Sequence, residues 1–528
     1  MASLEEQRQA RLAARKARVQ AVVAEMLAME LAEDGDDSHE TIDDIENGMV
    51  SIGDAVAREF GIQKLARRMP QSVPPPPCPQ CGHASEDRGL PRRALITRRG
   101  EVPITETKCY CPKCRRNFSP QSAVLGIEKD YDYTPRVYRK IVFAASKNVS
   151  FQDASQALAE LGEMQLSPKR VWRAAQRIGA ERLAEQQAAA ADYQALPLPE
   201  QQLSPVPQVP LVACVQMDGG RFQERERGPE TEAGGDSHWR EYKAGSLLSM
   251  TSKVHATDPC PQLPETFKDP GKMRKIASEI KGFTTSESAV ARQAEEEGEA
   301  DLKERPGLPE VLVKSVVATT GDVTMFGLLL VAAAYARGFH AALRKAFVCD
   351  GSNTNWSAWR KHFSHYTPIT DFVHALMYVY AAAMSGGTVA EGWALYRDWA
   401  QWLWQGDVAL IIAALEQTQQ QLGVPEKDET STPRAQLACT LTYLINQQER
   451  MQYHEYRRQG LPITSNHIES TIKQINRRIK GTEKFWDEGA DPMLHLVADQ
   501  LSQTNVIAKF WDRRTQTLIE SASYQQAT

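Results

Sequence analysis

Between Val212 and Cys349 apolar residues gather in short runs around one long apolar stretch. Val212-Ala-Cys-Val-Gln-Met217 is almost wholly apolar and is followed by Asp218-Gly219-Gly220. It reads as a buried strand ended by turn-forming residues. Residues 241–252 and 313–319 read as two further strands, and Ala346-Phe-Val-Cys349 as a fourth. Residues 323–337 are apolar on every face, and the twelve from Met325 to Ala336 carry no charge. Crossing a bilayer takes about 20 such residues, so this stretch predicts a buried helix in an α/β unit.

Upstream, residues 130–182 carry a helical pattern in three pieces. One opens at Thr134-Pro135 and runs to about Ser146; a second spans 151–161 and ends near Gly162. A third opens with Ser167 as N-cap and Pro168 at the first helical position. Residues 1–32 are helix formers with interspersed charge, and 382–455 are again helical, rich in Gln, Ala and Leu. Ser72-Val-Pro-Pro-Pro-Pro77 and the stretch 186–210, with Leu-Pro-Leu-Pro and Ser-Pro-Val-Pro, read as linkers. The boundaries that follow are 1–71 (helical, then acidic), 72–120 (cysteine-bearing), 121–186 (helical), 187–210 (linker), 211–381 (α/β), 382–458 (all-α) and 459–528 (a last helical part). The spans 228–238 and 257–309 are long, polar and without an assignment.

Length and composition bound this picture. At roughly 150 residues per domain, 528 residues make three or four domains. Apolar residues at 42% and charged residues at 24% are ordinary globular usage, which excludes wholesale disorder, collagen and a small disulfide scaffold. A net charge of −5 argues against nucleic acid only as an average. Residues 1–61 hold 6 Lys/Arg against 14 Asp/Glu, a balance of −8; residues 62–120 hold 12 against 4, a balance of +8. The opening Met-Ala-Ser-Leu-Glu-Glu-Gln-Arg has no apolar signal-peptide region. Five of nine cysteines fall between Cys78 and Cys114, which reads as metal ligation in a reducing cytosol. The expected location is cytoplasmic, with no membrane partner.

Cys78-Pro-Gln-Cys81 and Cys111-Pro-Lys-Cys114 are two CxxC turns separated by 29 residues. Four thiolates, two from each turn, suit tetrahedral Zn²⁺. Cys109 is a fifth thiol that competes with Cys111. Residues 94–107 read as two strands around Gly100, the middle of a zinc ribbon. Arg92, Arg93, Arg98 and Arg99 crowd that hairpin, and Lys169, Arg170, Arg173 and Arg177 lie along the third upstream helix, where Val171, Ala174 and Ile178 are left for packing. A short helix, a glycine turn and a basic helix fit a helix-turn-helix DNA reader; a three-helix bundle with a basic exposed face is the plain alternative. The adjacent basic ribbon favours DNA.

Asp218 and Asp350 each follow a strand and precede a glycine, where α/β sheets build sites, although Asp-Gly is also ordinary turn chemistry. Glu469 opens a helix whose Lys473, Arg477 and Lys480 share its face within about 80°. Three carboxylates can hold two divalent ions about 4 Å apart, and hard oxygen ligands select Mg²⁺ or Mn²⁺ over Zn²⁺. That is the chemistry of phosphodiester cleavage and strand transfer.

These motifs together resemble the DDE transposases of bacterial insertion sequences, most closely the Kra-type group. The resemblance rests on Leu125-Gly126-Ile127, Trp239-Arg-Glu-Tyr-Lys-Ala-Gly245, Asp350-Gly351, His467-Ile-Glu469-Ser470, Arg477-Arg-Ile-Lys-Gly481, Phe485-Trp486 and Gly489-Ala490, over residues 75–512. It implies an overall multidomain α+β fold, with an RNase H-like α/β catalytic core behind a zinc ribbon and a helix-turn-helix-like helical domain. It makes Asp218, Asp350 and Glu469 the Mg²⁺-binding (or Mn²⁺-binding) triad, the zinc structural, and 382–458 an all-α insertion before the last catalytic helix. It further implies double-stranded DNA as partner, both terminal inverted repeats and target, bound by a homodimer or higher oligomer at the bacterial nucleoid. Asp371-Phe-Val-His374 matches a Cys/Asp-x-x-His motif of Mutator-like and hAT transposases, which puts His374 at the scissile phosphate and Asp371 behind it. By its residues alone the same segment is a strand-to-helix N-cap Asp and a buried His. Trp393, Trp399, Trp402 and Trp404 read mostly as core, with one of them open to stacking on an unpaired base. A domesticated, non-catalytic DNA-binding relative is the rival reading, and an RNase H-like nuclease a third.

Overall fold

The computed structural model describes residues 4–33, 39–69, 74–125, 127, 132–225, 238–279, 309–426, 429–430, 432–481, 484–487 and 489–527. Acidic residues 34–38, Ser72, Val73, Gly126, and the polar stretches 228–237 and 280–308 lie outside them. The chain divides into two units, Met1–Thr134 and Pro135–Ala527.

The first unit opens with two long helices, α1 (Leu4–Glu33) and α2 (Ile42–Arg68). Helix α2 is started by a capping box, in which Thr41 and Asp44 each accept from the other's backbone N–H. Five short strands follow: β1 (Glu86–Asp87), β2 (Arg92–Thr97), β3 (Gly100–Thr105), β4 (Cys109–Cys111) and β5 (Arg116–Phe118), then α3 (Pro120–Val124). Strands β2 and β3 form the expected antiparallel hairpin, with Thr97 opposite Gly100. Strands β1, β4 and β5 form a separate three-stranded sheet. Leu95 and Ile104 of the hairpin pack with Leu65 and Met69 from the end of α2. The sequence pattern divides 1–71 from the ribbon, yet the last turns of α2 share its small core.

The second unit begins with α4 (Pro135–Lys147), α5 (Phe151–Gly162), α6 (Pro168–Ala195) and α7 (Leu198–Gln201). Its sheet and surrounding helices follow as β6 (Val212–Glu224), β7 (Trp239–Thr251), α8 (Pro270–Glu279), β8 (Glu310–Thr319), α9 (Val323–Tyr335), β9 (Arg344–Cys349), α10 (Asn353–His362) and β10 (Thr367–Thr370). Then come α11 (Phe372–Met384), α12 (Val389–Gln405), α13 (Val408–Leu422), α14 (Pro433–Gln447), α15 (Tyr453–Arg458), α16 (Asn466–Ile479), β11 (Phe485–Trp486), α17 (Ala490–Leu501) and α18 (Val506–Ala527). The sheet is mixed, ordered β10-β9-β6-β7-β8, with β11 also pairing β6. Strands β6, β7 and β8 are antiparallel neighbours, while β9 and β10 run parallel to β6.

Strand β6 is buried on both faces, which is why its sequence is a continuous apolar run rather than an alternation. Val212 and Cys214 join a core with Phe372, Leu376, Tyr396, Trp399, Trp404 and Leu444 of the later helices. Ala213, Val215 and Met217 face the opposite way, onto Phe326 and Leu330 of α9 and Tyr193 of α6. A Cβ on Gly245 of β7 would lie 2.7 Å from the Leu330 side chain, so this glycine lets α9 settle on the sheet.

Several expectations shift. The sequence pattern ends the first strand at Asp218, but β6 continues to Glu224, so Asp218 lies within it and Asp-Gly-Gly makes no turn. The glycines serve sheet packing instead: a Cβ on Gly220 would lie 2.2 Å from the ring of Tyr242, its cross-strand partner. Strand β10 runs directly into Asp371, the strand-to-helix junction that the N-cap reading of Asp371 expects. Ser167 and Pro168 do start α6, although Ser167 makes no side-chain cap bond. The Ala run assigned to the 187–210 linker is helical, because Ala190 and Tyr193 are buried and carry α6 on to Ala195. Trp399 and Trp404 are buried, and Trp393 and Trp402 are partly buried against the same core.

Helix α6 is tied to α17. A Cβ on Gly179 would lie 2.4 Å from the Pro492 carbonyl oxygen, and buried Arg182 meets buried Asp499 at 2.6 Å. Removing one partner of a buried pair leaves an uncompensated charge, so Arg182→Ala is expected to cost about 3–5 kcal/mol in urea unfolding. A loss below about 1 kcal/mol, the scale of surface pairs, would show that this tie does not hold α6.

A second prediction concerns His340, which is buried with its Nδ1 3.2 Å from both the Tyr366 hydroxyl and His365 Nε2. Burial, with the charges of His365 and Lys345, lowers its pKa to about 4. Between about 4 and the ordinary 6.5 the unfolded chain binds the extra proton, so stability rises with pH there and is lost as pH falls through 4. The gap corresponds to roughly 3 kcal/mol. Unfolding midpoints of wild type should drop across pH 6.5 to 4, and His340→Gln should flatten that drop.

Candidate functional site

Two groups of side chains among the described residues could hold a metal ion. The first is Cys78, Cys81, Cys111 and Cys114, whose sulfurs all lie within 4.8 Å of one another. The first knuckle closes through Cys78 N–H to the His83 carbonyl and Gly82 N–H to the Cys78 carbonyl, both 2.8 Å, with Gly82 at φ +66° as the turn requires. Cys111 ends β4, and its sulfur accepts from the Cys114 N–H at 3.3 Å. The Cys81 and Cys111 sulfurs are 3.6 Å apart. Tetrahedral ligands at about 2.3 Å from Zn²⁺ stand about 3.8 Å from one another, so the four thiols fit that ion. Burial opposes ionisation of Cys78, but the backbone N–H groups of Gln80 and Cys81 bring it down to about 7, which suits a ligand. Cys109 does not compete: it is fully buried outside the group, and burial pushes its thiol up.

The arginines of this module divide. Arg93 is spent on Glu106 at 2.9 Å and Ser122 at 3.0 Å, and Arg99 pairs with Asp54 at 3.0 Å. Arg93 is thus tied to buried Glu106, while the Arg99 pair is a surface one and leaves Arg99 exposed. Arg92 and Arg98 are exposed.

The second group is Asp371, His374 and Glu469, whose ligating atoms also lie within 4.8 Å of one another. Asp371 caps α11, accepting from His374 N–H at 2.6 Å. The same carboxylate bonds His374 Nδ1 at 3.0 Å and accepts from the backbone N–H of Ser465. His374 Nδ1 is 3.8 Å from Glu469. The N-cap reading of Asp371 and its orienting reading therefore hold together: one carboxylate starts the helix and fixes the imidazole. Burial works against charge on His374, but the Asp371 bond and the charges of Asp371, Glu469 and Asp350 raise it to about 9. His374 is half-buried rather than buried.

Asp218 and Asp350 flank this group. Burial and the Asp350 charge raise Asp218 to about 6, with Glu469 adding to the repulsion and the Gly219 N–H and His374 opposing it. Asp350 follows β9 and accepts from the Ser352 N–H at 2.9 Å and from Asn355 Nδ2 at 2.8 Å. Burial, then Asp371, raises Glu469. Asp218 thus senses both other acids, but the tight ligand-spaced set is Asp371, His374 and Glu469.

Residues outside the sequence reading hold this geometry. Buried Gln216 donates to the Thr464 carbonyl at 2.9 Å and accepts from the Ile468 N–H at 3.1 Å, clamping the start of α16 to β6. Tyr242 donates to Asn476 at 2.8 Å further along the helix, and Tyr443 to the Asp350 carbonyl at 2.9 Å. Gln216 lies in an apolar strand, and a polar residue in such a run is the one signal that marks it.

Of the DNA-facing candidates, Lys169, Arg170 and Arg173 are exposed at the start of α6, and Arg177 is half-buried. Lys473 and Arg477 are exposed along α16. Lys480 is not on that face: the helix ends at Ile479 and Lys480 stacks 5.2 Å from the Trp239 ring. Buried Arg478 was not singled out; it donates to the Ala145 carbonyl at 2.7 Å and lies 4.2 Å from the Phe151 ring.

No protein-family model matches the chain, and no curated protein matches it. No helix among the described residues is long and apolar enough to cross a membrane.

The thiol geometry makes a direct prediction. Purified wild type should carry one zinc per chain by elemental analysis, Cys111→Ser should lose it, and Cys109→Ser should keep it. Zinc retained in Cys111→Ser and lost in Cys109→Ser would reverse the ligand assignment.

Proposed function

We propose that the chain is a DNA transposase that uses Asp218, Asp350 and Glu469 to cut the ends of its insertion sequence and join a 3′-hydroxyl to target DNA. The observation that supports this reading is the ligand-spaced group Asp371, His374 and Glu469, together with Asp218, which feels the charges of both Asp350 and Glu469. Three antiparallel strands extended on the side of the first by two parallel ones is the order of an RNase H-like core, so we assign β6–β10 to that fold. Helices α12–α15 are then the all-α insertion between the second and third acids, and α4–α6 the helix-turn-helix-like segment.

The oxygen donors fit Mg²⁺ or Mn²⁺, since the repulsion that raises Asp218 is relieved by a cation among the acids. Such ions would supply charge stabilisation at the scissile phosphate and an activated attacking oxygen. The chain's own part is positional and electrostatic. Asp371 holds His374 through Nδ1 and keeps it cationic, leaving Nε2 as the ring atom that can donate to a phosphate oxygen. Gln216 and Tyr242 fix α16, and so Glu469, over β6. The exposed cations Arg92, Arg98, Lys169, Arg170, Arg173, Lys473 and Arg477 suit the duplex backbone.

Full-length protein incubated with Mg²⁺ and DNA bearing the element's ends should cut at those ends and join them to target DNA. Asp218→Ala and Asp350→Asn should each lose at least ~10²-fold in cleavage, the scale of groups that act in the transition state, while still binding the ends. Full activity in both variants would remove the triad. End-specific binding without cleavage by any form would mark a non-catalytic relative, and cleavage without joining a nuclease.

A further inference from the structure

We propose that Asp371, His374 and Glu469 form a binding site for a borderline divalent cation of the Zn²⁺ class, distinct from the all-carboxylate Mg²⁺ set. Two carboxylate oxygens converge on one ring nitrogen: Asp371 Oδ1 stands 3.0 Å and Glu469 Oε1 3.8 Å from His374 Nδ1. A single N–H points one way, and Asp371 takes it; the Glu469 oxygen lies beyond hydrogen-bond distance and is not served by that proton. An ion among the three serves all of them. Donors at about 2.0–2.2 Å from tetrahedral Zn²⁺ stand about 3.3–3.6 Å from one another, and the two observed gaps bracket that separation.

The donors are fixed from behind. Asp371 is wholly buried, and besides the imidazole it accepts from two backbone N–H groups, that of His374 at 2.6 Å and that of Ser465. Ser465 Oγ donates to Glu469 Oε1 at 3.3 Å, so the residue before α16 orients two of the three donors. Outer partners of this kind aim metal ligands before the ion arrives. The His374 and Glu469 side chains are 21% and 35% exposed, which leaves an open side where water completes the coordination.

The donor set chooses the ion. Imidazole nitrogen suits Zn²⁺ and its neighbours, whereas Mg²⁺ keeps oxygen ligands in near-ideal octahedral geometry. On binding, the ion takes the place of the proton that Asp371 otherwise holds on Nδ1, and that proton leaves to solvent. Glu469 belongs to both sets, so the two kinds of ion compete for it. That competition rests on the functional reading above; the binding itself does not.

Full-length protein titrated with Co²⁺, the optical stand-in for Zn²⁺, should take up one ion per chain whose visible d–d bands come without a thiolate charge-transfer band. The missing band separates this ion from one held by the thiol group. His374→Gln should weaken that uptake by more than ~10²-fold, the upper end of what loss of an outer partner costs, with circular dichroism unchanged. Asp218→Asn should keep the ion and its spectrum. No uptake at micromolar Co²⁺ overturns the site. So does uptake that survives His374→Gln, or that Asp218→Asn weakens to the same degree, since the ion then lies elsewhere or among the three acids. A chain that binds Co²⁺ in the expected pattern but cuts no DNA keeps this site and loses the cleavage reading; one that cuts DNA and takes up no such ion does the reverse.

Discussion

Gln216 is the residue on which the geometry of the candidate site depends. It is a buried amide in a strand that is otherwise apolar on both faces, and both ends of its side chain are used on the backbone at the start of α16. A buried amide left unpaired costs more than it contributes when bonded, so strand and helix start are bound to one relative position. Glu469 is one residue beyond the Gln216-bonded Ile468, and Asp218 two beyond Gln216. The separation of Asp218 and Glu469 is thus set by hydrogen bonds within the core, with the Tyr242–Asn476 bond as a further tie, and not by the acids themselves.

The same logic runs through the rest of the site. Acids that crowd one another repel, and something must hold them there. Asp350 is held by Asn355 and by the N–H of Ser352, while Tyr443 anchors its backbone. Asp371 is fully buried and spends its carboxylate on the α11 start, the His374 ring and the Ser465 backbone. His374, raised to about 9, is the cation that offsets part of this charge within the chain.

The zinc-type cluster illustrates a different division of labour. Its four sulfurs come from two turns whose backbone conformations are set locally, by Gly82 and by the turn after Cys111. The basic residues around it are not equivalent: Arg93 is held by buried Glu106, whereas Arg99 remains exposed in a surface pair with Asp54.

Sequence alone determined the features whose physics is local. The CxxC spacing located the thiols, and two helix starts were legible, one from Pro168 in its first turn and one from the capping carboxylate of Asp371. Apolar runs marked four of the sheet's strands. What sequence left open depended on contacts between distant segments. Whether Asp-Gly-Gly turns or continues was decided by Tyr242 packing over Gly220; whether the Ala run is linker or helix, by its burial; and whether Cys109 or Cys111 binds, by which sulfur the β4 strand turns toward Cys81. The strand before Asp371 was legible only as the approach to a helix cap, since four residues carry too little periodicity, and its pairing with β9 defines its bounds. Lys480 left the cationic face because the helix ends one residue before it. In each case the residue type was written in the chain, and the neighbour that gave it meaning lay in another part of the sequence.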